Sequence, residues 1–176
     1  GGAAVQRHGR GRGDPRDRVA PALPEAASSV RVLSAISEIS REEWDACANP
    51  GWRSVRPLDA PAADPRSPYN PFLAYDFLSA LEASGSATAR TGWRPQHLIL
   101  DGGDGSARGA MPLYLKNHSM GEYVFDQGWA EAYQRAGRSY YPKLQASVPF
   151  TPVTGPRLLM RDPVDRDGET LLAEAA

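Results

Sequence analysis

The residues of this chain best suited to chemistry are Lys116, His118, Glu122, Tyr123, Asp126, Trp129, Tyr141 and Lys143. Carboxylates placed among ammonium, imidazole and aromatic groups can hold an amine and take its proton. In that reading Glu122 or Asp126 is the base or the ammonium anchor. Lys116, His118, Tyr123, Trp129, Tyr141 and Lys143 then bind the substrate, with the aromatic rings as walls. The competing account of the same residues is a set of surface ion pairs with two buried tyrosines, since structural charge networks are common.

Other chemistries fail on spacing. His8, His97 and His118 have no Cys or His partner three or four residues away, as a zinc site requires. Asn117-His118-Ser119-Met120-Gly121 lacks the first glycine of a nucleophile elbow. No Walker A loop is present. Gln6-Arg7-His8-Gly9-Arg10-Gly11 formally fits the coenzyme A pyrophosphate pattern of acetyltransferases. That pattern works only at a strand-to-helix turn, where backbone N–H groups point at the phosphates. Here no strand precedes it and no helix follows, so the match is fortuitous.

The elements that must position the cluster can be read in outline. Lys116 ends a strand running from Arg108, and Glu122, Tyr123 and Asp126 occupy the turn after it. A short helix over Trp129–Ala136 ends at Gly137. Tyr140 to Val148 reads as another strand, broken near its start by Pro142. Tyr141 and Lys143 alternate on it and therefore face one side. If the two strands are neighbours, all these groups meet at one end of a sheet.

Upstream, Val30 to Ile36 alternates as a short strand. Ser40-Arg41-Glu42-Glu43 predicts a capping box, with Ile39 and Trp44 as a hydrophobic staple, and a helix to about Ala48. Cys47 lies one turn beyond Trp44 on the inner face. It has no nearby His or Lys to activate it and reads as a structural thiol. Asn70 and Pro71 suit the N-cap and first position of a second helix, with Gly85 as its C-cap. Gln96–Leu100 and Arg108–Lys116 form a hairpin across the turn Asp101–Gly105. That turn lacks the spacing of a calcium loop. Pro112 interrupts the returning strand and predicts an edge or a bulge. After Arg157-Leu158-Leu159-Met160, residues Gly168–Ala176 open an apolar helical pattern.

Two segments stand apart. Residues 1–28, rich in Gly, Ala, Pro and Arg, have too few large apolar groups to offset the entropy of ordering them and read as a disordered leader. Arg7, Arg10, Arg12, Arg16 and Arg18 make that leader at most a weak RNA-binding tail. Residues 50–69 carry prolines that forbid regular structure and read as an inserted loop.

The chain has 176 residues, 41% hydrophobic and 23% charged, which fits one globular domain with a real core or part of a larger one. A formal net charge of −1 supplies no general attraction to nucleic acid or anionic membranes. One cysteine excludes an internal disulfide. No apolar run approaches the ~20 residues of a membrane span, and the cytoplasm is the default location.

Several phrases then carry a family resemblance: Asn70-Pro71-Phe72-Leu73, Leu78–Gly85 and Thr91-Gly92-Trp93 with Pro95–Leu98, then Gly109–Lys116. They continue in His118-Ser119, Gly121–Asp126, Trp129-Ala130, Tyr140–Gln145 and Pro149–Leu159. In words, order and spacing the chain resembles the FemAB-like predicted N-acyltransferases, a branch of the GNAT superfamily also labelled peptidoglycan biosynthesis/recognition proteins. The likeness covers roughly residues 30–176 apart from the loop. It implies an α/β (α+β) GNAT-like fold, a mixed, mostly antiparallel sheet flanked by helices, with residues 29–176 as one unit. Family members are longer and carry a second GNAT-like unit, so this chain resembles an N-terminal portion. The resemblance further implies transfer of an acyl or aminoacyl group from an activated donor, an acyl-coenzyme A or an aminoacyl-tRNA, to a small-molecule or peptide amine. The competing class is a recognition module that binds a cell-wall peptide or a protein partner in the same pocket without chemistry.

Overall fold

The computed structural model of the protein describes residues 28–52, 68–123 and 126–176. The disordered leader, save its last residue, and most of the 50–69 loop expected from the sequence lie outside the described residues.

Strands β1 (Val30–Leu33), β3 (His97–Asp101), β4 (Ala107–Met111) and β7 (Leu159–Met160) form one sheet in the order β1-β3-β4-β7. Strands β2 (Arg94–Pro95), β5 (Tyr114–Lys116) and β6 (Lys143–Gln145) form a second, ordered β2-β5-β6. Every pairing among the described residues is antiparallel. Helices α1 (Arg41–Ala48), α2 (Tyr75–Ala83), α3 (Gln127–Arg135) and α4 (Arg166–Ala175) complete the α+β architecture.

Period-2 alternation along β3 and β4 divides the core. Ile99 and Ala110, directly paired, join Trp44, Cys47, Leu73 and Leu78 under α1 and α2. Leu98, Leu100 and Met111 point to the other face, where Leu172 of α4 covers them with Met160. The central strands β3 and β4 are thus buried on both faces, while β1 keeps Arg31 and Val32 exposed.

The hairpin forms as the sequence suggests, with Asp104 accepting from the Ser106 N–H at 2.9 Å to close the turn. Pro112 ends β4, and there the chain passes from the first sheet into the second. Its partner strand does the same at Gln96, whose N–H bonds the Leu113 carbonyl at 2.9 Å. The only register shift in this pair falls at Leu100/Asp101, so Pro112 marks a change of sheet.

Long-range partners alter the local helix signals. Ser40 caps α1 by accepting from the Glu43 N–H at 3.2 Å. The reciprocal arm of the capping box is not made. The Glu43 carboxylate instead takes the Ala107 N–H at 2.6 Å and Arg161 at 2.7 Å. Asn70 and Pro71 do not start α2 either. They form a separate turn, in which Asn70 accepts from the Phe72 N–H at 3.1 Å. The helix begins at Tyr75, after Ala74 adopts an extended conformation. The turn is held by α1: Asn49 accepts from the Asn70 N–H at 2.8 Å, and Trp44 donates to the Leu73 carbonyl at 2.8 Å. Asp45 then accepts from the Tyr75 N–H at 2.8 Å, capping α2 from another helix.

Cys47 is buried, and that burial pushes its thiol up to about 11, as befits a structural role. Glu82 of α2 accepts from the Ile36 N–H at 2.8 Å and meets His97 Nε2 at 2.9 Å. Because His97 Nδ1 accepts from the Leu113 N–H at 3.2 Å, the ring proton sits on Nε2 and points at Glu82. No helix among the described residues is long and apolar enough to cross a membrane.

Candidate functional site

Strands β5 and β6 place Lys116 directly opposite Lys143, and Tyr114 opposite Gln145. Like charges facing one another across a strand pair repel. The segment after β5 answers that repulsion by folding back and setting carboxylates between the lysines. Glu122 lies 3.0 Å from Lys143 Nζ through Oε2 and 3.6 Å from Lys116 Nζ through Oε1. Asp126 pairs with Lys143 and accepts from the Tyr140 hydroxyl at 2.9 Å. Ser119 joins the cluster, 2.5 Å from the Tyr141 hydroxyl and 3.3 Å from Lys143 Nζ.

Lys116 is the most enclosed member. It is fully buried, its Nζ lies 3.4 Å from the centroid of the Trp93 ring, and it donates to the Met120 carbonyl at 3.2 Å. Burial pushes its ammonium down to about 8, against the opposing pull of Glu122. For Lys143, burial acts downward too, but its bonds to Asp126 and Glu122 outweigh this and hold it above the usual lysine value. Burial would raise Asp126, yet hydrogen bonds from Lys143, Ser119 and Tyr140 prevail and hold it at about 2.

This shift makes the cluster acid-sensitive. A depressed carboxylate stabilises the fold above its unfolded value, near 4, and the gain is lost as pH falls toward 2. The contribution is about 2 kcal/mol. Urea unfolding at pH 6 and pH 2 should therefore show wild type losing about that much more stability than Asp126→Asn. Equal losses would mean the ion pair does not couple to folding.

Beside the cluster opens a cleft of about 300 Å³, lined by Trp93, Gly121, Glu122, Tyr123, Gln145 and Arg157 among others. Three of these residues carry buried polar atoms without a hydrogen-bond partner: Trp93 Nε1, Glu122 Oε1 and Gln145 Oε1. Unmet groups of this kind cost about 1–3 kcal/mol each, which a bound ligand can recover. A larger hollow of about 540 Å³ lies between Cys47–Pro50, Pro68–Leu73 and Val153–Met160. It is lined mainly by apolar and proline side chains and holds none of the charge cluster.

Gly121 keeps the cleft open. Its φ is +79°, and a Cβ there would stand 2.6 Å from the Phe150 ring and 3.1 Å from Trp93 Nε1. Gly121→Ala should cost roughly 1–2 kcal/mol for the left-handed backbone alone and displace Phe150. Urea unfolding checks this, and an unchanged midpoint would show the site more pliant than its geometry indicates.

Of the residues predicted from the sequence, the fold gathers Lys116, Glu122, Asp126, Tyr141 and Lys143. Tyr123 lines the cleft but is 60% exposed. His118 is not a wall of the site. Its ring packs over Gly92, where a Cβ would fall 2.3 Å from Nε2, and its Nδ1 accepts from the Met120 N–H at 3.2 Å. Trp129 is not a wall either. It is 68% exposed on α3, a helix that buries none of its residues. The expected strand Tyr140–Val148 shrinks to β6, because only Lys143–Gln145 find partners on β5.

Sequence reasoning missed Trp93, Ser119, Tyr140, Gln145 and Arg157 as parts of the site. Gln145 was two residues from Lys143 on the same face, a signal that could have found it. Trp93 and Arg157 come from distant segments and had none.

A family model described as FemAB-like, peptidoglycan biosynthesis/recognition, matches residues 35–176. Neither a curated protein nor a solved structure matches the chain. The matched span contains every strand except β1 and all of the cluster between β5 and β6. With most of its length so covered, the chain belongs to the FemAB-like family of peptidoglycan biosynthesis/recognition proteins.

Proposed function

We propose that this chain supplies the amine-binding part of an N-acyltransferase site, within a GNAT-like α+β unit. The observation that carries the reading is Glu122 Oε1, a buried carboxylate oxygen without a hydrogen bond on a residue that lines the cleft. An ammonium group entering the cleft would find its acceptor there. Glu122 takes the proton, and the freed lone pair attacks the donor carbonyl carbon. A C–N bond forms, the C–S bond of an acyl-coenzyme A or the C–O bond of an aminoacyl-tRNA breaks, and the thiol or hydroxyl leaves. Lys116, as an ammonium 3.6 Å from Glu122 Oε1, keeps that carboxylate charged and ready to accept, and Glu122 then releases the proton through the cleft to solvent. Asp126, held at about 2 and bonded to Lys143 and Tyr140, positions Lys143 and is too weak a base to serve itself. Donors of both kinds are made in the cytoplasm, and the reaction is placed there.

A second reading has one observation in its favour. Glu122 is already ion-paired to Lys143 and Lys116, as suits a rigid recognition pocket that binds a cell-wall peptide or a protein partner without chemistry. Turnover separates the two. A panel of acyl-coenzyme A and aminoacyl-tRNA donors is offered with amine acceptors to wild type and Glu122→Gln. Acyl transfer that the substitution abolishes supports the enzyme, and wild-type rates in the variant remove Glu122 as base. Acceptor binding with no transfer from any donor favours recognition.

A further inference from the structure

The cleft has a second charged wall, on Arg157. Six arginines among the described residues face carboxylates: Arg31 with Asp101, Arg41 with Asp76, Arg108 with Asp165, Arg135 with Glu131, Arg161 with Glu43 and Arg166 with Glu169. Arg157 is half-buried and lines the cleft, yet no carboxylate reaches it among the described residues. Its guanidinium instead donates to the backbone carbonyls of Val153 at 2.8 Å, Gly155 at 3.1 Å and Pro156 at 3.0 Å. Those bonds hold the fork in place without neutralising it and leave part of its N–H edge unused. Burial accordingly pulls its pKa below the usual arginine value.

A fixed guanidinium without a counter-ion is a receptor for a carboxylate, because the planar fork matches two oxygens at once. Glu122 lines the same cleft and offers the opposite charge. Trp93 Nε1 and one end of the Gln145 amide, also unpaired, add neutral polar contacts. At about 300 Å³ the cleft lies at the small end of ligand sites and suits one amino acid or the end of a short peptide.

We infer that the cleft takes an amino-acid end, with an amine at Glu122 and a carboxylate at Arg157. The inference rests on the amine-binding reading above and adds the carboxylate, which that reading does not require. A free amino acid presents both groups, and the C-terminal residue of a peptide does so when its side chain carries the amine, as lysine does.

Isothermal titration calorimetry with three probes tests it on the full chain: L-lysine, cadaverine (lysine without its carboxylate) and the tripeptide alanyl-alanyl-lysine. Wild type should bind lysine about tenfold or more tighter than cadaverine, the scale of one charge-assisted contact. Arg157→Met should bring lysine down to the cadaverine level and leave cadaverine unchanged, while Arg157→Lys keeps part of the preference. Glu122→Gln should weaken both. Equal binding of lysine and cadaverine by wild type, with both weakened by Glu122→Gln, overturns the carboxylate site and leaves the amine reading standing. Binding of neither probe, or indifference to Glu122→Gln, removes the amine reading and this inference with it. The wild-type comparison holds even if an Arg157 variant fails to fold. A tripeptide tighter than lysine identifies a peptide end as the ligand, and one equal or weaker identifies a free amino acid.

Discussion

Glu122→Gln is expected to lower acyl transfer by about 10²–10⁴-fold, the usual range for removing a general base. The substitution keeps the side-chain shape but not the charge that faces two lysines at 3.0 and 3.6 Å. Lys116 is then left fully buried, with the Trp93 ring and the Met120 carbonyl as its remaining described contacts. Breaking a buried pair from one side costs about 3–5 kcal/mol, because the surviving charge stays desolvated. Loss of activity alone would therefore not separate chemistry from collapse. The double variant Glu122→Gln with Lys116→Met removes the stranded cation and should recover much of the stability while activity stays low. Urea unfolding and transfer rates on the two variants together decide it. If the double variant also regains activity, Glu122 acts by holding Lys116, and the proton acceptor is another group.

Trp44→Ala is expected to cost about 3–5 kcal/mol, the range for truncating a large buried aromatic residue. Trp44 is fully buried at the centre of the core under α1 and α2. It meets the His97 ring edge-on at 5.5 Å and donates to the Leu73 carbonyl at 2.8 Å. The substitution opens a cavity beside β3 and releases the Asn70–Leu73 turn from α1. Trp44→Phe keeps most of the ring volume and loses the hydrogen bond, so about 1–2 kcal/mol is expected there. A total stability of only ~5–15 kcal/mol for a domain makes the first loss large. Urea unfolding measures both. A cost below about 1 kcal/mol for Trp44→Ala would show the core able to collapse into the space.

The two variants touch different parts of the molecule for the same reason. In each, a side chain is held by partners far away in the chain, and its removal strands those partners. Asp45 capping α2 and Glu82 joining Ile36 to His97 follow that pattern. The fold is laced together by polar groups that reach between elements and not only by its apolar faces.

What the sequence determined by itself is what contacts within a few residues decide. Ser40 caps α1, Asp104 closes the hairpin turn, and Gly137 follows the end of α3 at φ +71°. Strand periodicity puts alternate residues of β3 and β4 on one face, but the unbroken buried run His97–Leu100 left it to the structure to decide which layer each face meets. The family words between Asn70 and Leu159 were legible too, as a linear pattern, and the family model matches residues 35–176 around them. Tertiary structure decided the rest. It drew Glu43 from its capping box to Ala107 and Arg161, since a backbone N–H in the sheet and a guanidinium make better partners than a helix end already capped. It set Lys116 against Lys143, brought Trp93 beneath one and Ser119 beside the other, and left Trp129 outside. Strand pairing joins residues by register and not by order, so the company each charge keeps exists only once the chain has closed on itself.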